Sequence, residues 1–414
     1  MLFPVMLLCS IGDITPGMVL GAQVTDPRSP DLRLLLPGVA LDGALIASMR
    51  SRGVVHAWVE DDLTRDLDGA VAAELTGARL EVYTRLRDDL SALSRRTVTT
   101  SSVQSYRQAV LGLVTQSIAS GTYASLTDTL FAADGLATHG ANVAYLSLLC
   151  GLHLEAYMVA EQPRLERAQA RDMAVLGLAG LLHDVGKSRL PPRLRGAHEV
   201  HLGGGVPPGP AEYDGHILAG RDLLESANAP ARVTHTVLNH HQRYDGTGWP
   251  DMTKLTGGRA VGPLRGKRIH IYARVVSAAN VLDNLLRDAE SRRPPAAALH
   301  AFASARFDGW FDPVVRRAVL LRVPPFAVGT DVRLSDGRRA VVVAPATVPH
   351  EPCRPVVRVL TDGAGKRAAE ADTLNLAEAP AVFITHALGV EVAPYLYSAP
   401  ERAPVTPAED AEAA

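Results

Sequence analysis

The 414-residue chain has little cysteine, no excess of either charge and no long uninterrupted apolar run. Its three cysteines, Cys9, Cys150 and Cys353, are odd in number and lack metal-binding or redox spacing. That excludes a disulfide framework and favours a reducing compartment. A formal charge of −2 excludes a surface built to coat a nucleic-acid polymer. The apolar start, MLFPVMLLCSIG, has no basic flank and is interrupted by Pro4 and Gly12. It reads as neither a signal peptide nor a membrane span, so the expected location is the cytoplasm. No internal repeat stands out. With 47% apolar and 21% charged residues, the chain can bury sizeable cores.

The pattern along the chain predicts a mainly α protein with β-rich ends. Residues 1–62 read as a small α/β module, with a helix in ALDGALIASMRSRG capped by Asp42 and stopped by Gly53. Apolar residues at three and four spacing predict long amphipathic helices over 63–120, as linkers or as a homodimer interface. Residues 121–324 read as a helical domain, interrupted by the Gly- and Pro-rich segment 196–216, a mobile loop. A small sheet of three or four strands is expected over 325–380, from the Asp-Gly turn of DVRLSDGRRAVVVAP and the similar RPVVRVLTDGAGKRA. The extension 381–414 is expected to be disordered from about 398, where large apolar side chains run out.

The chemistry is concentrated in the helical domain. In VLGLAGLLHDVGK an all-apolar helix runs into His183 and Asp184 and stops at Gly186. A helix apolar on every face is buried, and a buried His-Asp pair needs partners or incurs a desolvation cost of several kcal/mol. Metal coordination is one solution, and an aspartate has two oxygens with which to bridge a pair of ions. Downstream, NHHQRYDGTGWP sets His240 beside His241. Neighbours on a helix point about 100° apart, so these imidazoles are expected to reach two ions, or one ion and its bound water. The bland alternative is a set of core histidines bonded to carbonyls. His139 and His216 each begin an apolar-periodic helix, and Lys187 follows Asp184 by one helical turn, where it can hold a phosphate oxygen. His56, His198, His201, His300 and His350 read as solvent-exposed.

HDVGK, the HH pair and DGTGWP, in that order, resemble the HD-GYP family of the HD phosphohydrolase superfamily over residues 125–324. The flanking ITPGMVL and VGTDVRLSDG resemble segments found around such domains. The resemblance implies an all-helical domain that hydrolyses cyclic di-GMP with a metal centre. It implies metal ligation by His139, His183, Asp184, His216, His240 and His241, with Asn280 at the position of the closing ligand. Asp184 and Lys187 would be catalytic, and Lys187, Arg243, Gly248, Trp249, Pro250 and Arg293 would contact substrate. The cofactors would be two divalent transition-metal ions, iron or manganese.

Several positions depart from the family pattern. Gly135 stands where three-metal members carry a glutamate, which implies two ions at most. Asn280 replaces an aspartate, keeping a carbonyl oxygen but not the charge; Asp283, three residues on, is a conceivable substitute. Trp249 replaces the tyrosine of Gly-Tyr-Pro. Ala296 stands where the second basic residue of a phosphate clamp is expected, and the segment before the Asn280 helix is longer than usual. Two functions therefore follow: a metal-dependent cyclic di-GMP phosphodiesterase, or an impaired relative that binds the nucleotide or a signalling partner without turnover. A hydrolase for another phosphorylated nucleotide is a third.

Overall fold

The computed structural model describes residues 6–27, 29–64, 67, 73–93, 98–119, 135–196, 213, 215–251, 262–287, 294–368 and 372–401. The N-terminal module pairs β1 (Met6–Ser10) antiparallel with β4 (His56–Glu60), setting Leu7 opposite Val59 and Cys9 opposite Ala57. The hairpin β2 (Val24–Asp26) and β3 (Ser29–Leu35) and the helix α1 (Gly43–Ser51) complete it. The Asp42 carboxylate accepts from the Leu45 N–H at 2.8 Å, and the chain turns away at Gly53, where φ is +84°. The described part of the apolar N-terminal run is thus a strand over Met6–Ser10.

Helices follow in the order α2 (Ala73–Leu93), α3 (Thr100–Ala119), α4 (Leu136–His153), α5 (Glu155–Ala160), α6 (Arg167–Ala170), α7 (Met173–Leu182) and α8 (Pro192–Arg195). They continue with α9 (Gly215–Ser226), α10 (Ala231–Asn239), α11 (Ile271–Leu286), α12 (Pro295–Ala303) and α13 (Pro313–Arg322). Helix α7 has no charged side chain and every residue of it is buried. It lies against α4, buried from Ala137 to Gly151, and the two form the centre of the domain. Each fully buried Leu or Val there contributes about 1.5–3 kcal/mol.

Helices α2 and α3 do not stand apart as linkers. Val82, Leu86, Val110 and Leu113 join the same core as α4 and α7, because an apolar stripe is most stable against the nearest apolar surface. Helix α11 is anchored by Arg274, 4% exposed, which donates to Asp312 at 2.5 Å and Glu161 at 2.6 Å. Breaking such a buried pair from one side costs about 3–5 kcal/mol.

The C-terminal sheet has six strands in the order β10-β9-β5-β6-β7-β8. These are β5 (Asp331–Leu334), β6 (Arg339–Ala344), β7 (Val356–Thr361), β8 (Thr373–Asn375), β9 (Ile384–Ala387) and β10 (Val390–Glu391). The sheet therefore passes the expected limit at residue 380, since β9 pairs with β5. Strands of two to four residues are too short to display an alternating pattern, which is why three or four strands were expected.

The two ends of the chain share a core. Val341 and Leu360 of the sheet pack with Leu7, Cys9 and Val59 of the N-terminal module. Leu8 N–H donates to the Gly329 carbonyl at 2.8 Å, and Arg367 pairs with Asp61 at 3.0 Å. Ala399 N–H still reaches the His350 carbonyl, and the carbonyls of Pro400 and Glu401 accept from Arg317, so order persists to residue 401; the disorder expected beyond about 398 otherwise falls on 402–414, outside the described residues. Among the described residues, no helix is long and apolar enough to cross a membrane.

Candidate metal centre

The centre is assembled where α7 ends. His183 caps α7 with helical dihedrals, and Asp184 leaves the helix at φ −105°, ψ 8°, turning its carboxylate inward. Gly186 then passes so close to α9 that a Cβ would collide with the His216 carbonyl and the Gly220 N–H. The absence of a side chain at 186 is what lets α9 bring His216 to Asp184. His139 comes from the first turn of α4, and His240 and His241 from the end of α10.

Asp184 divides these imidazoles between its two oxygens. Oδ1 lies 3.4 Å from His216 Nε2 and 3.5 Å from His240 Nε2. Oδ2 lies 3.4 Å from His139 Nε2 and 3.4 Å from His183 Nε2. Two groups share the aspartate: Asp184, His216, His240 and His241, and His139, His183 and Asp184, the ligand atoms of each lying within 4.8 Å of one another. The adjacent histidines fall in one group rather than being split between two. Helix α10 stops at Asn239, so the 100° rule does not govern the residues after it.

The ring nitrogens are sorted in the way metal ligation requires. His183 Nδ1–H donates to the Gly180 carbonyl at 2.7 Å, His240 Nδ1–H to Val237 at 2.8 Å, and His216 Nδ1–H to Tyr213. His139 Nδ1–H donates to Asp283 at 2.6 Å. Each of these bonds fixes the tautomer and leaves a bare Nε2 facing Asp184. The Nε2 atoms of His216 and His240 are buried and make no hydrogen bond. Unsatisfied buried nitrogens around a carboxylate are costly for a protein alone and suit a divalent cation. The donor set therefore fits a metal.

Electrostatics agree. Burial pushes the His183 pKa down to about 4 and that of His216 down to about 3, and it also holds His241 well below the usual imidazole range. These imidazoles are neutral near pH 7, the form in which an imidazole can accept a metal. Burial alone would raise the Asp184 pKa, but Lys187 and His183 outweigh it and hold the carboxyl well below its usual range. Lys187 is itself buried, with Nζ 2.6 Å from Asp184 Oδ2 and 5.0 Å from the Tyr213 ring centre. It is not a solvated helix-end charge.

The Gly-Trp-Pro loop closes one side. Trp249 stacks on His241, ring centres 3.9 Å apart and planes at 17°. Gln242 ties the loop down, donating to the Pro250 carbonyl at 2.8 Å and accepting from Leu264 N–H at 2.9 Å. A Cβ on Gly248 would strike the backbone of Gln242 and Arg243. Asp245 pins the turn by accepting from Thr247 N–H at 2.8 Å and Thr247 Oγ1 at 2.7 Å. The Arg243 guanidinium, expected at the substrate, instead lies 3.3 Å from the Trp310 ring centre.

On the α11 side, Asn280 is buried and its Oδ1 accepts from Asn284 Nδ2 at 3.0 Å. Asp283 does not substitute as a ligand. It holds His139 from outside the cluster and is itself held by Asn142 at 2.9 Å and Arg287 at 2.7 Å. Gly135 is the N-cap of α4, with no side chain to offer. Ala296 is fully buried among Phe326 and Val332, so that position has no room for a basic side chain. Arg293, His198, His201 and most of the 196–216 loop lie outside the described residues, as does 252–261 of the lengthened segment.

Sequence reasoning missed Tyr213, Gln242, Asn142 and the part taken by Asp283. Only Asp283 left a trace in the sequence, one helical turn from Asn280. Asn142 acts through a pairing distant along the chain, and Tyr213 and Gln242 act on near neighbours through a main-chain carbonyl and a loop tie that residue type alone does not signal.

Residues 152–315 match the HD domain family, and residues 332–392 match the KOW domain associated with HD domain. The chain is 34% identical over 169 residues to the cyclic di-GMP phosphodiesterase PA4108 of Pseudomonas aeruginosa, covering 40% of this chain and 37% of that protein. It is 32% identical over 139 residues to the cyclic di-GMP phosphodiesterase response regulator RpfG of Xanthomonas campestris pv. campestris, covering 32% and 30%. The chain thus spans about a third of the length of these curated relatives. The chain is thus similar to an HD domain over one segment and to the associated KOW domain over the next, and it resembles the HD-GYP family through the first.

Proposed function

We propose that the protein is a metal-dependent phosphodiesterase acting on cyclic di-GMP. The observation that carries this reading is the division of the histidines between the two oxygens of Asp184, a donor arrangement suited to a pair of ions. His216, His240 and His241 would hold one ion and His139 and His183 the other, with Asp184 between them. Iron and manganese suit the mixed imidazole and carboxylate set. When bound, such a pair supplies Lewis-acid activation of the phosphodiester and of water.

The chain's own groups do the positioning. The backbone carbonyls and Asp283 fix the ligand tautomers, so the centre needs no reorganisation on binding. Lys187 carries an ammonium at Asp184, where it would neutralise a non-bridging phosphate oxygen. Trp249 and Tyr213 wall the site and limit water access.

A second reading, binding of the nucleotide or of a signalling protein without turnover, rests on Asn280 and Ala296. The first turns its amide oxygen to Asn284, and the second is buried where a basic clamp residue would be needed. Cyclic di-GMP turnover by protein loaded anaerobically with iron or manganese separates the two. The phosphodiesterase reading expects activity that falls about 10³-fold in Asp184→Ala. A loaded wild-type protein that binds the nucleotide and leaves it intact establishes the second reading.

A further inference from the structure

A separate cleft of about 300 Å³ lies between the helical domain and the C-terminal sheet. It shares no residue with the metal centre. One wall is α13 with His153 from the end of α4, and the other is the loop between β6 and β7, which contributes Pro345. Leu321 and Pro324 add apolar surface.

The charges in it are unbalanced. Helix α13 carries Arg316, Arg317 and Arg322. Arg316 is compensated in the ordinary way, by Asp308 at 2.8 Å and the carbonyl of Ser304 at 2.7 Å. Among the described residues, Arg317 reaches only the carbonyls of Pro400 at 3.0 Å and Glu401 at 2.7 Å. Arg322 donates to His153 Nδ1 at 2.7 Å, and its Nε is buried with no partner. Neither Arg317 nor Arg322 has a carboxylate within 4.0 Å among the described residues; the Glu401 carboxylate is 3.8 Å from His350.

Arginine can only donate, so His153 must accept at Nδ1 and carry its proton on Nε2. Burial and the two arginines lower its pKa, in keeping with that neutral form. The cleft therefore offers two guanidinium groups and a third N–H, with no acid to meet them among the described residues. The C-terminus of α13 supplies about half a negative charge, too little to balance two full positive ones.

We propose that this cleft is an anion site that takes the phosphate group of a small phosphorylated metabolite, with the apolar wall contacting the rest of the molecule. Its volume lies at the lower end of about 300–1,000 Å³ for small-molecule sites, which suits a mononucleotide or inorganic phosphate. Because the two walls belong to different domains, an occupant would bridge them.

Isothermal titration of the full chain, stripped with a chelator, tests this with inorganic phosphate, guanosine monophosphate and guanosine. Saturable phosphate binding is expected, weakened about tenfold or more in Arg317→Gln/Arg322→Gln and retained in Arg316→Gln, which removes the same kind of charge outside the cleft. Tighter binding of the nucleotide than of phosphate would identify a nucleotide site; equal affinities would identify a site for the phosphate group alone. Guanosine binding as well as its monophosphate, or phosphate binding undiminished in the double variant, would overturn the proposal. Thermal melts show which variants fold. Arg317→Gln alone, at a half-buried side chain bonded only to carbonyls, carries the test if the double variant does not fold.

Discussion

The two sides of Asp184 are built differently. On the Oδ1 side, His216 and His240 are oriented by main-chain carbonyls within three residues, and Trp249 covers His241. On the Oδ2 side, His183 is held by the backbone, but His139 depends on Asp283, which reaches it from α11 across the domain. A main-chain carbonyl is present wherever the helix forms. A carboxylate from another helix depends on packing, and in return it makes the imidazole a stronger donor. The first side is therefore rigid by construction, and the second depends on how α4 and α11 sit together.

The largest effect that would disturb this comparison is acid, which attacks both sides at once. His183 and His216 have native pKa values near 4 and 3, lowered first by burial, against 6.5 when unfolded. The unfolded chain thus takes up protons first as the pH falls. Stability is complete above about pH 6.5 and is lost progressively toward pH 4 and below. Urea unfolding of the metal-free protein should lose roughly 3 kcal/mol or more between about pH 7 and pH 4. A flat profile would mean that these imidazoles are not buried as neutral groups.

Asp283→Asn should sharpen the comparison by weakening one side only. Calorimetric metal titration should show the weaker of two classes of site losing about 10- to 100-fold in affinity, with the other unchanged. Equal losses in both classes would show that the two sides are not independent. Asn280→Asp should act in the opposite direction on the α11 side. An added carboxylate should tighten metal binding about tenfold, and unchanged affinity would show that the side chain stays turned to Asn284.

Trp249→Ala should have the smallest effect, a loss of roughly threefold in metal affinity on the Oδ1 side, because main-chain carbonyls still hold the ligands. Trp249→Phe should keep the stack. Bound manganese should quench tryptophan emission in the wild type much more than in Trp249→Phe, where Trp58 and Trp310 remain. Equal quenching in both would place the ion away from His241.

The residues that cluster around Asp184 were legible because chemistry and local pattern coincided. An all-apolar helix ending in His-Asp, and a doubled histidine before a turn-rich loop, are expensive arrangements that few structures other than a metal site can satisfy. The Asp42 cap and the Gly53 stop were legible for a similar reason, since both act within a few residues. The short strands β8 to β10 were not, because two to four residues carry no period. Nor was the place of α2 and α3, whose apolar stripes could equally have faced a second chain.

By itself the sequence determined which residues have the chemistry to bind a metal, which helix must be buried and where the helix of the N-terminal module begins and ends, whereas α7 stops at Leu182, before the expected Gly186. All of these follow from side-chain chemistry and neighbours near in sequence. Only the tertiary structure decided that both doubled histidines join the same group beside Asp184, that Asp283 serves His139 from outside, and that Arg243 rests on Trp310. It also decided that the N-terminal strands complete a core with the C-terminal sheet. Each is a contact between segments far apart along the chain, set by how apolar surfaces fit together, and local pattern holds no record of that fit.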